Sequence, residues 1–119
     1  MKRTGPENIE LKNLIEKLND LAIKEKVKLW KRIARELERS TRQRRSVNIY
    51  KIDKNTNENE TALVPGKVLS EGELTKKIKV AAFSFSEKAK EKINKKGKAI
   101  TIEELIKENP KGRDVRIIG

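Results

Sequence analysis

The chain has 119 residues, 34% apolar and 40% charged, with thirty Lys and Arg against eighteen Asp and Glu for a formal charge of +12. That length suits one modest core, and the absence of Cys and His excludes disulfides, thiolate nucleophiles, Cys/His zinc sites and histidine acid–base catalysis. So large an excess of cations opposes folding by self-repulsion and calls for a polyanion that relieves it.

Lys2 and Arg3 make a basic start. Thr4-Gly5-Pro6-Glu7 is a helix-opening sequence: threonine to cap, proline in the first turn, glutamate near the positive end of the dipole. Leu11, Leu14, Ile15, Leu18 and Ala22 recur at spacings of three and four and mark one core-facing stripe. Trp30, Ile33, Ala34 and Leu37 form a second periodic set. Residues 23–27 between them lack proline and glycine, so one long helix is open on local grounds. Two helices are the expectation, because the stripe runs into Glu25 and Lys26 where it ought to stay apolar. Trp30, the only tryptophan, lies on the apolar side and is expected in the core rather than stacked on a base.

The outward positions of the second helix are Lys28, Lys31, Arg32 and Arg35, and they run on into Arg39, Arg42, Arg44 and Arg45. Lys24 through Arg45 holds ten basic residues against three acidic ones (Glu25, Glu36 and Glu38), a net of +7, and six of the nine arginines fall between Arg32 and Arg45. Arginine's planar fork binds phosphate with two hydrogen bonds and stacks on bases, whereas lysine is a point charge. The stretch 39–45 has too little apolar content to pack and reads as an exposed basic loop, without order until a ligand meets it. A solvated charge run is the commoner fate of such a stretch. Here it continues a helix face of the same sign, and phosphate binding is the better reading.

Val47-Asn48-Ile49 is a strand candidate, Tyr50-Lys51-Ile52-Asp53 starts a short helical turn, and residues 55–60 are a polar surface loop. In the run that follows, Ala62-Leu63-Val64 is apolar, Pro65-Gly66 reads as a tight turn exposing Lys67, and Val68-Leu69 resumes the apolar run before a turn at Ser70-Glu71-Gly72-Glu73. Ile78, Val80 and Ala82 alternate with Lys77, Lys79 and Ala81, the period of a half-buried strand with lysines on its wet side, and the whole reads as a hairpin. Ser84-Phe85-Ser86-Glu87 fits the capping pattern of a helix, with Ala89 and Ile93 inward and Lys88, Lys90, Lys92, Lys95 and Lys96 around the rest. Phe83 and Phe85, the only phenylalanines, are expected in the core. Gly97 is placed to end that helix in the left-handed conformation.

Ala99-Ile100-Thr101-Ile102 is a short strand, and Thr101-Ile102-Glu103-Glu104 repeats the capping pattern. Leu105 and Ile106 face the core, Asn109-Pro110 stops the helix, and Gly112 turns the chain. Val115, Ile117 and Ile118 make a last strand, with Arg113 and Arg116 projecting the other way. Phe83-Ser84-Phe85-Ser86-Glu87 and Ile100-Thr101-Ile102-Glu103-Glu104 share a pattern at two strand ends that turn straight into helices, with Val47-Asn48-Ile49 a fainter copy. Such units would stack into a short, irregular superhelical layer.

Motifs for catalysis do not assemble. Pro65-Gly66-Lys67 lacks the first glycine of a phosphate loop, and Val68 stands where Ser or Thr should bind magnesium. Residues 80–85 lack the glycine and spacing of an aromatic RNA-recognition strand. Glu103 and Glu104 point about 100° apart on a helix and serve as a capping pair. No nucleophile–base pair is present, so an enzyme is not expected; a magnesium site at Asp53 or Glu103 is the remaining enzyme-like option. No apolar run approaches the ~20 residues of a membrane span, and the amino terminus has no signal-peptide core. A soluble intracellular protein is expected.

The segments VPGKVL, GELTKKIKVAAFSFSEKAKEKI and ITIEELIKENPKGRDVRIIG resemble the archaeal and eukaryotic large-subunit ribosomal protein family called eighteen-e, a relative of bacterial large-subunit protein fifteen. The resemblance covers nearly the whole chain and is dense from Leu63 on; the family carries a small residue where this chain has Tyr50. It implies an α/β fold in which an N-terminal helical pair is followed by an irregular strand–strand–helix superhelix. The expected organisation is a single domain, 1–119, with N-terminal helices in 1–38, a basic loop in 39–46 and the superhelical core in 47–119. It also implies a noncatalytic, cofactor-free and metal-free constituent of the cytoplasmic ribosome. Its partners are large-subunit ribosomal RNA and neighbouring ribosomal proteins, with no membrane and no small-molecule substrate. The RNA-contact role then falls on Arg32, Arg35, Arg39, Arg42, Arg44, Arg45, Lys67, Lys76 and Lys77, by phosphate contacts. The alternative function is a free nucleic-acid chaperone or DNA-architectural protein.

Overall fold

A computed structural model describes residues 6–38 and 46–118, with side chains from Leu11 on. Two helices open the chain, α1 (Pro6–Glu25) and α2 (Lys28–Leu37). They are separate, as the interrupted stripe predicts: Lys26 takes a left-handed φ of 58° and Val27 is extended, which reverses the chain without glycine. Leu14 and Leu18 of α1 and Trp30, Ile33, Ala34 and Leu37 of α2 are buried, while Leu11, Ile15 and Ala22 are half-buried at the edge of the stripe.

The remaining elements are β1 (Ser46–Asn48), α3 (Ile49–Asn55), β2 (Thr61–Leu69), β3 (Lys79–Phe85), α4 (Glu87–Lys96), β4 (Lys98–Thr101), α5 (Ile102–Glu108) and β5 (Val115–Ile117). The five strands form one parallel sheet in the order β1-β2-β3-β4, with β5 also paired to β2. Helices lie on both faces. On one face, α3, α4 and the segment 70–78 enclose Val47, Ile49, Ile52, Val64, Val68, Leu74, Ile78, Val80, Ala89 and Ile93. On the other, α1, α2 and α5 enclose Leu14, Leu18, Trp30, Ile33, Leu63, Ala81, Ile100, Ile102 and Leu105.

Parallel pairing corrects the hairpin reading. Pro65 and Gly66 are not a turn; they lie inside β2, buried, where its register against β3 slips between Val64 and Lys67. A proline is tolerated there because β5 pairs only with Thr61, Ala62 and Leu63 and β1 only with Lys67, Val68 and Leu69. The stretch between has no partner on that edge, so the missing N–H removes no ladder bond. Burial corrects a second expectation: β3 is not half-buried, since Ala81 is as fully enclosed as Val80 and Ala82. A sheet covered on both faces has no wet side.

The strand-to-helix junctions share one geometry. Asn48, Ser86 and Thr101 are all extended (ψ 158°, 156° and 163°) immediately before α3, α4 and α5. Thr101 and Glu104 make the reciprocal capping box, with bonds of 3.1 and 2.9 Å. The α4 cap is Ser86, which accepts from the Ala89 N–H at 3.2 Å, and not Ser84; β3 runs two residues further than its sequence implies. The repeat therefore aligns Ser86 with Thr101 and Asn48. Trp30 is fully buried, and its Nε1 donates to the Pro110 carbonyl at 2.6 Å, tying α2 to the turn after α5.

Gly97 also departs from expectation. Its φ of −124° is not left-handed; glycine is required because a Cβ would lie 1.9 Å from the Ile78 carbonyl oxygen. Gly97→Ala should lower stability by about 2–3 kcal/mol through that overlap, read as a lower denaturant midpoint with an unchanged slope.

Two carboxylates give acid sensitivity. The Arg116 guanidinium, bonded to both oxygens of Glu60 at 3.0 Å, holds that carboxyl below its ordinary value, and the Thr101 backbone N–H does the same for Glu104. A carboxylate lowered in the folded state adds stability above its unfolded pKa, and loses it as pH falls through the folded one. The denaturant midpoint should fall on acidification below about pH 4.5, the ordinary value of these groups. In the Glu60→Gln, Glu104→Gln double variant that fall should be shallower.

Candidate nucleic-acid interface

α2 is divided by its own sequence. Trp30, Ile33, Ala34 and Leu37 point into the core, and Lys28, Lys31, Arg32 and Arg35 are all exposed. Four cations at these spacings cover one side of a helix whose first turn holds no acid. Lys31 and Arg35, with Asn19, Ala22, Ile23 and Glu38, line an open groove of about 380 Å³ between α1 and α2. Ile23 is 78% exposed on its lip.

Arg39, Arg42, Arg44 and Arg45 lie outside the described residues, as does the expectation that their loop lacks order without a ligand. The ends of that stretch are described: Glu38 caps α2, and Ser46 opens β1 beside Lys67. Lys67 is exposed near the carboxyl end of β2, although Pro65-Gly66 is not the turn expected to display it.

Lys77 is elsewhere. It is exposed just before β3, at the amino end of the sheet, where Lys77, Ile78, Lys79, Gly97 and Lys98 line a shallow recess of about 250 Å³. Lys98 comes beside Lys79 only through the β3–β4 pairing, so nothing local in the sequence marked it. Lys79 is ion-paired to Glu108 at 3.1 Å. The exposed lysines of α4 (Lys88, Lys90, Lys95 and Lys96) are on the face of the sheet opposite α2. The exposed lysines of α4 thus do not share a face with the cations of α2.

Lys76, one of the expected RNA contacts, and Lys92 of α4 are latches. The Lys76 ammonium donates to the carbonyls of Asp53 (2.7 Å) and Thr56 (3.0 Å), satisfying the carboxyl end of α3. Lys92 donates to the carbonyls of Ser70 (2.9 Å) and Gly72 (3.1 Å) and pairs with Glu73 at 2.9 Å. Together they fasten the irregular segment 70–78 that joins the parallel strands β2 and β3. The residues of the magnesium alternative are similarly engaged: Asp53 accepts from the Thr75 N–H and hydroxyl, and Glu103 pairs with Lys17 at 2.8 Å. No group of acids that could hold a metal occurs among the described residues. None of their helices is long and apolar enough to cross a membrane.

A basic helix face beside an arginine stretch, on a scaffold with no catalytic constellation, agrees with the comparison with known proteins. The family model described as ribosomal protein 60S L18 and 50S L18e matches residues 1–119. The chain belongs to this family. Large ribosomal subunit protein eL18 of Methanosphaerula palustris is 48% identical over 119 residues, covering 99% of this chain and 96% of the relative. The proteins of the same name from Sulfurisphaera tokodaii and Methanococcus maripaludis are 46% and 44% identical, over 98% and 99% of this chain and 96% and 99% of theirs. Membership makes the chain a structural protein of the large ribosomal subunit in the cytoplasm, and not an enzyme.

Lys92→Met should lower stability by ~2 kcal/mol, the order of a hydrogen-bonded charge lost from its partners. Amide exchange should accelerate at Gly72 and Glu73 while α1 and α2 are unaffected.

Proposed function

We propose that this member of the family binds large-subunit ribosomal RNA through its phosphates and helps keep that RNA folded. Arg32, Arg35, Arg39, Arg42, Arg44 and Arg45 are the main contacts, with Lys67 beside them and Lys77 making a separate contact at the other end of the sheet. Lys76 serves this surface by fixing the loop that carries its neighbour. The observation that carries the reading is the split of α2 into a fully buried apolar side and an exposed side of Lys28, Lys31, Arg32 and Arg35. Such a helix presents charge with few base-reading side chains, and phosphate contacts position a protein on RNA by shape. The chain acts as one domain, 1–119: helices in 1–38, a basic loop in 39–46 and the strand–helix core in 47–119. Neighbouring large-subunit proteins complete its partners.

Contacts to ~6–10 phosphates should make RNA affinity fall about a thousandfold or more between 50 and 200 mM salt. Changing Arg39, Arg42, Arg44 and Arg45 together to Gln should reduce the slope of log affinity against log salt by about one per charge removed. The variant should also no longer co-sediment with large-subunit particles at moderate salt. Parent-like assembly by this variant would falsify the phosphate reading. Displacement from RNA by duplex DNA at equal concentration would favour a DNA-architectural role instead.

A further inference from the structure

β2 is buried or half-buried along its length except at Lys67, its one exposed residue. An exposed lysine on the strand that three others flank is an unusual placement, because β2 has neighbours on both edges and helices on both faces. Ser46 on β1 and Ser84 on β3 are its registered partners, each about 4.8 Å away across a sheet. The next registered row, Val47, Val68 and Phe85, packs against the α3–α4 core. Successive residues of a strand face opposite ways, so Ser46 and Lys67 lie on the side of the sheet on which α2 packs; Ser84, the registered neighbour of Lys67 on β3, lies between Phe83 of the α2 core and Phe85 of the α3–α4 core.

Ser46 is exposed and Ser84 half-exposed, and among the described residues neither hydroxyl nor the Lys67 ammonium has a hydrogen-bond partner. The register slip in β2 ends at Lys67, and such irregularities re-aim the side chain that follows. Ser46 also directly follows the arginine stretch, so a strand of RNA held there is delivered to this row.

We infer that Ser46, Lys67 and Ser84 form one phosphate site, hydroxyl–ammonium–hydroxyl, that receives a single backbone phosphodiester of the RNA. The inference rests on the phosphate-binding reading above and adds two ligands to it. All three groups can donate, as an ionised phosphodiester, which only accepts, requires. The ammonium supplies the charge, and the hydroxyls fix the position of the phosphate oxygens on either side.

Charge and hydroxyl separate in a salt titration, using deproteinised large-subunit ribosomal RNA as the probe in filter binding. Lys67→Met should lower the log–log salt slope by about one. Ser46→Ala and Ser84→Ala should each weaken binding about three- to tenfold at every salt concentration with the slope unchanged, and Ser84→Thr, which keeps the donor, should bind like the parent. Parent-like affinity of both alanine variants, with a parent-like slope for Lys67→Met, overturns the row while the steep salt dependence of the parent keeps the broader reading. A parent with no salt-dependent RNA binding overturns both.

Discussion

Because β2 is enclosed on both faces, each of its backbone donors and acceptors needs a partner within the protein. β3 supplies one edge along nearly the whole strand, and the other edge is shared in sequence by β5 and then β1. The changeover falls where Pro65 has no N–H to offer and where β2 carries its irregularity against β3. Proline, register slip and change of partner are thus one solution to one constraint. With β2 fixed, β1 leads into α3 on one side, β3 leads into α4, and β5 returns the carboxyl end to the centre of the sheet.

The connection from β2 to β3 is the costly part of this arrangement. Parallel neighbours ordinarily need a helical crossover, and residues 70–78 provide none. Leu74 and Ile78 plug the segment into the core, and Tyr50, Asp53 and Thr56 of the α3 region bind it. Lys92 satisfies the Ser70 and Gly72 carbonyls of the segment, and Lys76 ties it to the Asp53 and Thr56 carbonyls. Lysine suits the task, since a flexible point charge with three donors reaches several carbonyls that share no plane. Part of the basic composition is therefore structural.

Local chemistry explains which features were legible in the sequence. The α1 and α2 stripes, the position of Trp30, the capping box at Thr101 and the end of α5 at Asn109 depend on residues within a few positions, and each reads as the structure has it. Features fixed by distant partners did not. Pro-Gly marks a turn and a strand irregularity alike, and only the β5-to-β1 exchange distinguishes them. Gly97 is dictated by a carbonyl of Ile78, nineteen positions earlier in the chain. For the candidate site, the cations of α2 follow from helical periodicity alone. The latching of Lys76, the separation of Lys77 from Arg32 and Arg35, and the hydroxyls beside Lys67 all depend on parallel register, which no short-range pattern encodes.

The charge distribution links stability to recognition. Exposed ion pairs fasten α1 to α5 (Lys17–Glu103), β3 to α5 (Lys79–Glu108) and β5 to the loop before β2 (Arg116–Glu60). α4 and α5 respect their dipoles, with Glu87 opening α4 and Glu103 and Glu104 opening α5. α2 does the reverse: Lys28 and Lys31 occupy a first turn that holds no acid, where the exposed amides are already positive. Each misplaced cation costs about 0.3–1 kcal/mol at low salt. A polyanion laid along α2 would remove that cost and add favourable contacts, which would couple its binding to the stability of α2. The helix is least favourable electrostatically when the protein is alone, which is the condition under which a ribosomal protein has no work to do.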